Sequence, residues 1–186
     1  MAEDPYRDER LVQLYDLDNA AGDDHEYYRA LADEIEAKRI LDFGCGTGLL
    51  TRPEVYPSVL GSLSGALRPG GVISFESRNP AARAWEQWTR EATYSERDTP
   101  AGHLREWLEV TESGQGRVVF DAHNVFPDGS DAVYTTVLYF RTSDEITADL
   151  EEAGFGDIAV HGGWHDEPPL DDSRLLVFQA TKLSRG

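Results

Sequence analysis

Residues 39–80, "RILDFGCGTGLLTRPEVYPSVLGSLSGALRPGGVISFESRNP", limit the fold more than any other part of the chain. The stretch opens on an apolar run that leads into glycines at alternate positions, Gly44, Gly46 and Gly48. It closes on a Pro-Gly-Gly turn and a second apolar run, "VISFES". The first run predicts a buried strand ending in a loop whose backbone turns sharply and can approach a ligand, because glycine has no Cβ. Pro53 and Pro57 interrupt the chain beyond that loop. A helix beginning near Pro57 then places Val59, Leu60, Leu63, Ala66 and Leu67 on one stripe. Only residues 49–68 separate the glycines from Pro69. A βαβ unit takes roughly 30 residues, so one right-handed strand–helix–strand crossover is all that fits there.

The flanks supply the remaining pattern. Residues 8–19 read as a short helical arm. Residues 23–39 read as a helix, with Tyr27, Leu31 and Ile35 at four-residue spacing and Asp23 or Asp24 as its cap. Residues 79–96 form an amphipathic segment bearing Trp85 and Trp88, expected on one helical face. The alternating runs "HLREWLEVTE", "GRVVFDAHNVF" and "DAVYTTVLYFR" predict antiparallel strands with turns at 113–116 and 127–130. "TSDEITADLEEAGF" is a capped helix begun by Ser143 and stopped by Gly154. "DIAVHGGWHDEPPLDDSRLLVFQATK" supplies two closing strands. The fold class is α/β.

Charge narrows the partners. Asp and Glu number 35 against 17 basic residues, for a net charge of −18. A surface of that sign repels phosphate backbones, so nucleic acid is not an expected partner. No apolar run approaches the roughly 20 residues of a membrane helix, and the acidic start "MAEDPYRDER" does not read as a signal peptide. The expected compartment is the cytoplasm. Cys45 is the single cysteine, and the scattered histidines and carboxylates have no metal-ligand spacing, so no metal is expected. Dense carboxylates also fit a salt-rich cytoplasm, where their mutual repulsion is screened. Thermal melts should then show stability rising with KCl up to molar levels; a melting temperature flat or falling with salt would remove that reading.

"DFGCGTG", the "LRPGGVISFE" element, the arm "LYDLDNAAGDDHEYYRALADEI" and "RTSDEITADLEEAGF" with "VFQATK" together resemble class I S-adenosylmethionine-dependent methyltransferases of the small-molecule type. The resemblance implies a Rossmann-like fold in one domain, residues 1–186. Its parts are an N-terminal helical lid (1–38), an abridged cofactor-binding core (39–80), a helical and β-rich substrate-side segment (81–141), and a last helix with closing strands (142–186). It implies S-adenosylmethionine as cofactor and a small organic molecule as methyl acceptor. The family motif maps cofactor contacts onto Asp42, Gly44, Cys45, Gly46, Thr47 and Gly48, with Tyr15 reaching in from the lid. A packed arm tyrosine is the alternative for Tyr15.

The chain departs from that family in one place. On the order of two βα units are absent before the Pro-Gly-Gly turn. With them go the acidic residue that binds the cofactor's ribose and the loop that frames its adenine. Glu54 follows Pro53 rather than an apolar strand, so it does not inherit the ribose role. The readings left open are a compact enzyme, a catalytically impaired or truncated homologue acting as a binding or dimerisation module, and a nicotinamide-dependent enzyme. The glycine spacing disfavours the last.

Ligands of open α/β sheets gather at the carboxyl ends of strands, here 44–48 and 76–79. Arg78 and Asn79 are candidates to hold an acceptor carboxylate, with a surface ion pair as the plainer alternative for Arg78. His165 is a candidate base, and His161 flanks the same "GGW" stretch. His123 reads as a packed or surface histidine. Sheet edges that a fuller sheet would cover make self-association, a homodimer, the expected assembly.

Overall fold

Period-two alternation accounts for the strands, and four-residue apolar spacing for the longer helices. A computed structural model describes residues 8–42 and 55–184, with Tyr15 and Asp16 in backbone only. In chain order the elements are α1 (Glu9–Val12), α2 (Tyr15–Asp18), α3 (Asp23–Glu34), α4 (Tyr56–Ala66), β1 (Val72–Arg78), a 3-10 turn (Ala84–Gln87), α5 (Arg90–Thr93), β2 (Ser95–Thr99), β3 (Gly102–Gly114), β4 (Arg117–Val125), β5 (Asp131–Tyr139), α6 (Ser143–Glu152), β6 (Phe155–His161) and β7 (Leu175–Lys182). They fall into two compact units. One takes the chain up to Ala21 together with Ala84–Leu138; the other takes Gly22–Arg83 and the chain from Tyr139 onward.

The second unit is built on a three-stranded sheet of order β1-β7-β6, antiparallel at both contacts. Its register puts Phe75 opposite Phe178 and Val160 opposite Phe178. Ile73, Phe75, Leu176, Phe178, Ala180 and Val160 therefore share one face. Tyr56 and Leu60 of α4 and Ile146 and Leu150 of α6 cover that face and close the core. A capping box starts α6: Thr142 Oγ1 accepts from Glu145 N at 3.2 Å, and Glu145 Oε2 accepts from Thr142 N at 2.8 Å. Those bonds hold the Glu145 carboxyl below the usual range. Gly154, at φ +84, lets the chain leave the helix. Lys182 Nζ then donates to Ser64 Oγ and to Ala153 O at the helix end, where a cation complements the dipole.

The first unit holds a four-stranded antiparallel sheet of order β2-β3-β4-β5. Leu14 of the arm joins Leu104, Phe126, Ala132 and Tyr134 in its core. Arg10 lies over the Phe126 ring at 3.7 Å and donates to Asp8 at 2.7 Å, which holds the Asp8 carboxyl low. Arg97 bridges Asp18 of α2 and Glu106 of β3 at 2.5 and 3.3 Å. The helical arm of residues 8–19 is thus two short helices fastened to the sheet by arginines.

Three expectations are corrected. Residues 39–42, expected to be a buried strand, lie outside any strand, with Ile40 73% and Leu41 69% exposed. No parallel strand pair, and so no right-handed crossover, exists among the described residues. A strand is stable only beside a neighbour that takes its hydrogen bonds, and among the described residues β1 is paired on one side alone, with β7. Trp85 and Trp88 do not share a helix: the 3-10 turn ends at Gln87, and Trp88 meets Phe120 edge-on at 4.9 Å. No helix among the described residues is long and apolar enough to cross a membrane.

Candidate functional site

The polar face of β1 shows where chemistry gathers. Ser74, Glu76 and Arg78 alternate with the core residues of the strand, opposite Gln179, Val177 and Leu175 of β7. His161 of β6 also pairs with Val177. Glu76 and His161 therefore flank buried Val177 on one cross-sheet row. Since β1 and β6 both run antiparallel to β7, Arg78 and His161 leave the sheet at the same end.

Helix α3 reaches this face through two tyrosines. Tyr28 Oη donates to Glu76 Oε2 at 2.8 Å. Burial, and then the Glu76 charge, push the phenol above its ordinary value, so it stays protonated and remains a donor. Tyr27 Oη lies 3.5 Å from Ser74 Oγ, which itself donates to Phe178 O at 3.0 Å. Trp164 packs against both tyrosines, with centroids 5.6 and 5.7 Å away, and the tyrosines stand 5.3 Å apart at 75°. Rings this close to one another form a wall rather than an open cage.

The connection from β6 to β7 completes the rim. Gly162 N donates to Glu167 O at 2.7 Å. A Cβ at Gly162 would sit 2.5 Å from both Pro168 O and Ser173 Oγ, so only glycine fits that approach. His165 N donates to Glu167 Oε2 at 2.7 Å, and its Nε2 lies 3.7 Å from Asp23 at the start of α3. His161 Nδ1 lies 3.6 Å from Asp166. Asn79, 6% exposed, donates from Nδ2 to Leu170 O at 3.0 Å and Asp171 O at 3.4 Å, and accepts from Ala81 N at 3.0 Å. Its side chain is committed to holding the loop. Arg78 keeps exposed surface, yet the protein crowding its guanidinium, and then the charge of Arg174, lower its proton affinity. Arginine remains a cation throughout.

Structures of this architecture have been solved before. The CcbJ methyltransferase from Streptomyces caelestis is similar over 78% of this chain and 61% of its own, with a TM-score of 0.58 at 12% identity. An S-adenosylmethionine-dependent methyltransferase from Clostridium acetobutylicum is similar over 87% of this chain and 71% of its own, with a TM-score of 0.60 at 9% identity. The chain has a methyltransferase fold. It spans less than two thirds of the first relative's length, and at these identities the likeness is one of fold alone. No protein-family model and no curated protein matches the sequence.

Within this methyltransferase fold the sequence candidates are unevenly placed. Gly44, Cys45, Gly46, Thr47 and Gly48 lie outside the described residues, as does the Tyr15 side chain. Asp42 is exposed and outside any strand. Arg78, Asn79, His161 and His165 come to one end of the second unit's sheet. His123 belongs to the first unit, stacked on Trp107 at 4.5 Å and bonded to Asp131 at 2.9 Å. Sequence reading missed Tyr28, and took in Glu76 only as the first position of the 76–79 strand end, without a role of its own. The signal was the carboxylate inside "VISFES", which marks a strand face in need of a polar partner. A concavity of about 340 Å³ lies at the opposite end of the sheet, lined by Glu152, Gly154, Lys182 and Leu183. Its one cation is already engaged by Ser64 and Ala153. No group of three or more metal-ligating side chains is gathered among the described residues.

Proposed function

We propose that the chain is a methyltransferase-type protein that binds S-adenosylmethionine through residues 42–48 and acts on a small organic molecule. The observation that carries the reading is the fold, shared with proteins described as methyltransferases, taken with the "DFGCGTG" motif in the sequence. The cofactor would supply the methyl group. The chain's part is to present an acceptor at the carboxyl ends of β1 and β6, with Arg78 for an acceptor carboxylate and His165 as a base for an acceptor that must lose a proton.

Residues 39–42, which would feed the glycine loop, stand outside the sheet with Ile40 and Leu41 exposed. This favours, as the second reading, a homologue abridged in its first half and impaired in turnover. A missing charged partner for the ribose weakens binding by about 1.5–3 kcal/mol, or one to two decades at about 1.4 kcal/mol per decade.

Titration calorimetry with S-adenosylhomocysteine separates the readings. Micromolar binding, weakened by Gly46→Val, is the expected result for the enzyme. No heat at millimolar ligand would leave the binding module. Binding of NADH with no response to adenosylhomocysteine would replace both.

A further inference from the structure

The two sheets have four outer edges, and they are not equally defended. An unpaired edge invites another strand, and proteins blunt it with charge, shortness or a bulge. The β1 edge strand carries Glu76 and Arg78. The β6 edge strand breaks register between Gly156 and Ala159, where Asp157 sits at φ +47. The β2 strand is five residues long, "SERDT", three of them charged. The β5 strand has nine residues and one charge, Asp131 at its start. From Ala132 to Tyr139 it reads "AVYTTVLY", all β-branched, aromatic or aliphatic, in a chain where 28% of residues are charged. The nearest carboxylate on β4, Asp121, is held by Thr135 Oγ1 at 2.6 Å. Among the described residues no strand pairs with the outer side of β5.

We propose that β5 is the edge along which a second copy of this chain adds, antiparallel and across a twofold axis centred on Thr135. Two molecules of charge −18 repel over most of their surface. They meet at least electrostatic cost along β5, whose one charge, Asp131 at its start, is bonded to His123 at 2.9 Å. The strand is also nearly self-complementary about Thr135. Antiparallel pairing there sets Val133 opposite Val137 of the second copy, and Tyr134 opposite Thr136, so that β-branched and aromatic residues face one another. Ala132 and Tyr134 are already buried in the unit's own core, leaving Val133, Thr135 and Val137 on the other face of the strand. One edge of nine residues is a small interface, so the dimer is weak and concentration-dependent. Salt screens the repulsion and strengthens it. The pairing does not depend on the transferase reading.

Sedimentation velocity at low and at molar KCl, with the wild-type chain, Val137→Lys and Val133→Lys, tests the surface. The expected result is a wild-type dimer favoured by KCl and monomers for both lysine variants, with unchanged circular dichroism. Thr135→Cys in a Cys45→Ser background tests the register. Opposed positions on antiparallel strands lie within disulfide reach, so oxidation should give a covalent dimer, and Ser95→Cys on the β2 edge should not. A wild-type chain monomeric at every KCl concentration overturns the proposal. So does a dimer that survives both lysine variants, or one that fails to cross-link at position 135.

Discussion

Phe178→Ala is expected to destabilise the second unit by about 3–5 kcal/mol, the range for removing a buried phenylalanine. Phe178 is fully buried at the centre of β7, the middle strand of the three-stranded sheet. On one side its ring stacks on Phe75 at 5.3 Å and 12°. On the other, Val160 occupies the paired position of β6. Leu60 and Leu150, from helices α4 and α6, share the same cluster. Alanine would leave a hole that strands and helices on every side border, and backbone hydrogen bonding prevents the sheet from collapsing into it. Phe178→Leu keeps most of the volume and should lose less than about 1.5 kcal/mol. Denaturant titrations followed by circular dichroism, with amide exchange of β1 and β7 as the local readout, measure both. An unchanged midpoint for Phe178→Ala would mean that this face is not packed as described.

The same cluster shows which parts of the fold were legible in the sequence. Helix α6 was legible because its cap, its apolar spacing and its terminating glycine all lie within the segment itself. Strands β3, β4 and β5 were legible because alternation and turn residues are local. Residues 39–42 were not, because "RIL" has a strand's composition but a strand also needs a neighbour, and composition does not report whether one is present. Tyr56 and Ser64 fell off the predicted α4 stripe because their burial depends on Arg141 and Lys182, far away in the chain. At the site, the positions just past β1 and β6 could be read from the rule that ligands collect at strand ends. The Tyr28–Glu76 bond could not, since it joins a helix to a strand 48 positions apart. Asn79 has the position of a ligand-holding group, and its amide instead closes a loop.

Charge runs through both units in the same way. All basic residues except Lys38 and Lys182 are arginine, and the fixed ties of the fold use them: Arg10 with Asp8, Arg97 with Asp18 and Glu106, Arg117 with Glu112, Arg141 with Asp149. A planar guanidinium takes a carboxylate in a defined geometry with less ordering per bond than a lysine. In a chain with twice as many acids as bases, these four arginines each hold a carboxylate of their own unit.

The Arg141–Asp149 pair is the least exposed of these ties. The two groups approach to 2.5 Å with side-chain exposures of only 15% and 18%. The Arg141 guanidinium also lies 4.5 Å over the Tyr56 ring, whose phenol burial keeps neutral by pushing its proton affinity up. Either charge alone at this depth would be stranded. Asp149→Ala and Arg141→Met should each destabilise by about 3 kcal/mol, since removing one partner of a buried pair leaves the other uncompensated. The double variant Arg141→Met/Asp149→Leu removes both charges and fills the space with apolar atoms. It should recover most of the loss, because the pair's mutual attraction largely offsets its own desolvation. A double-mutant cycle from urea midpoints gives the coupling directly. Additive single losses would show that the two side chains act separately, and that Arg141 stabilises the unit through Tyr56 rather than through Asp149.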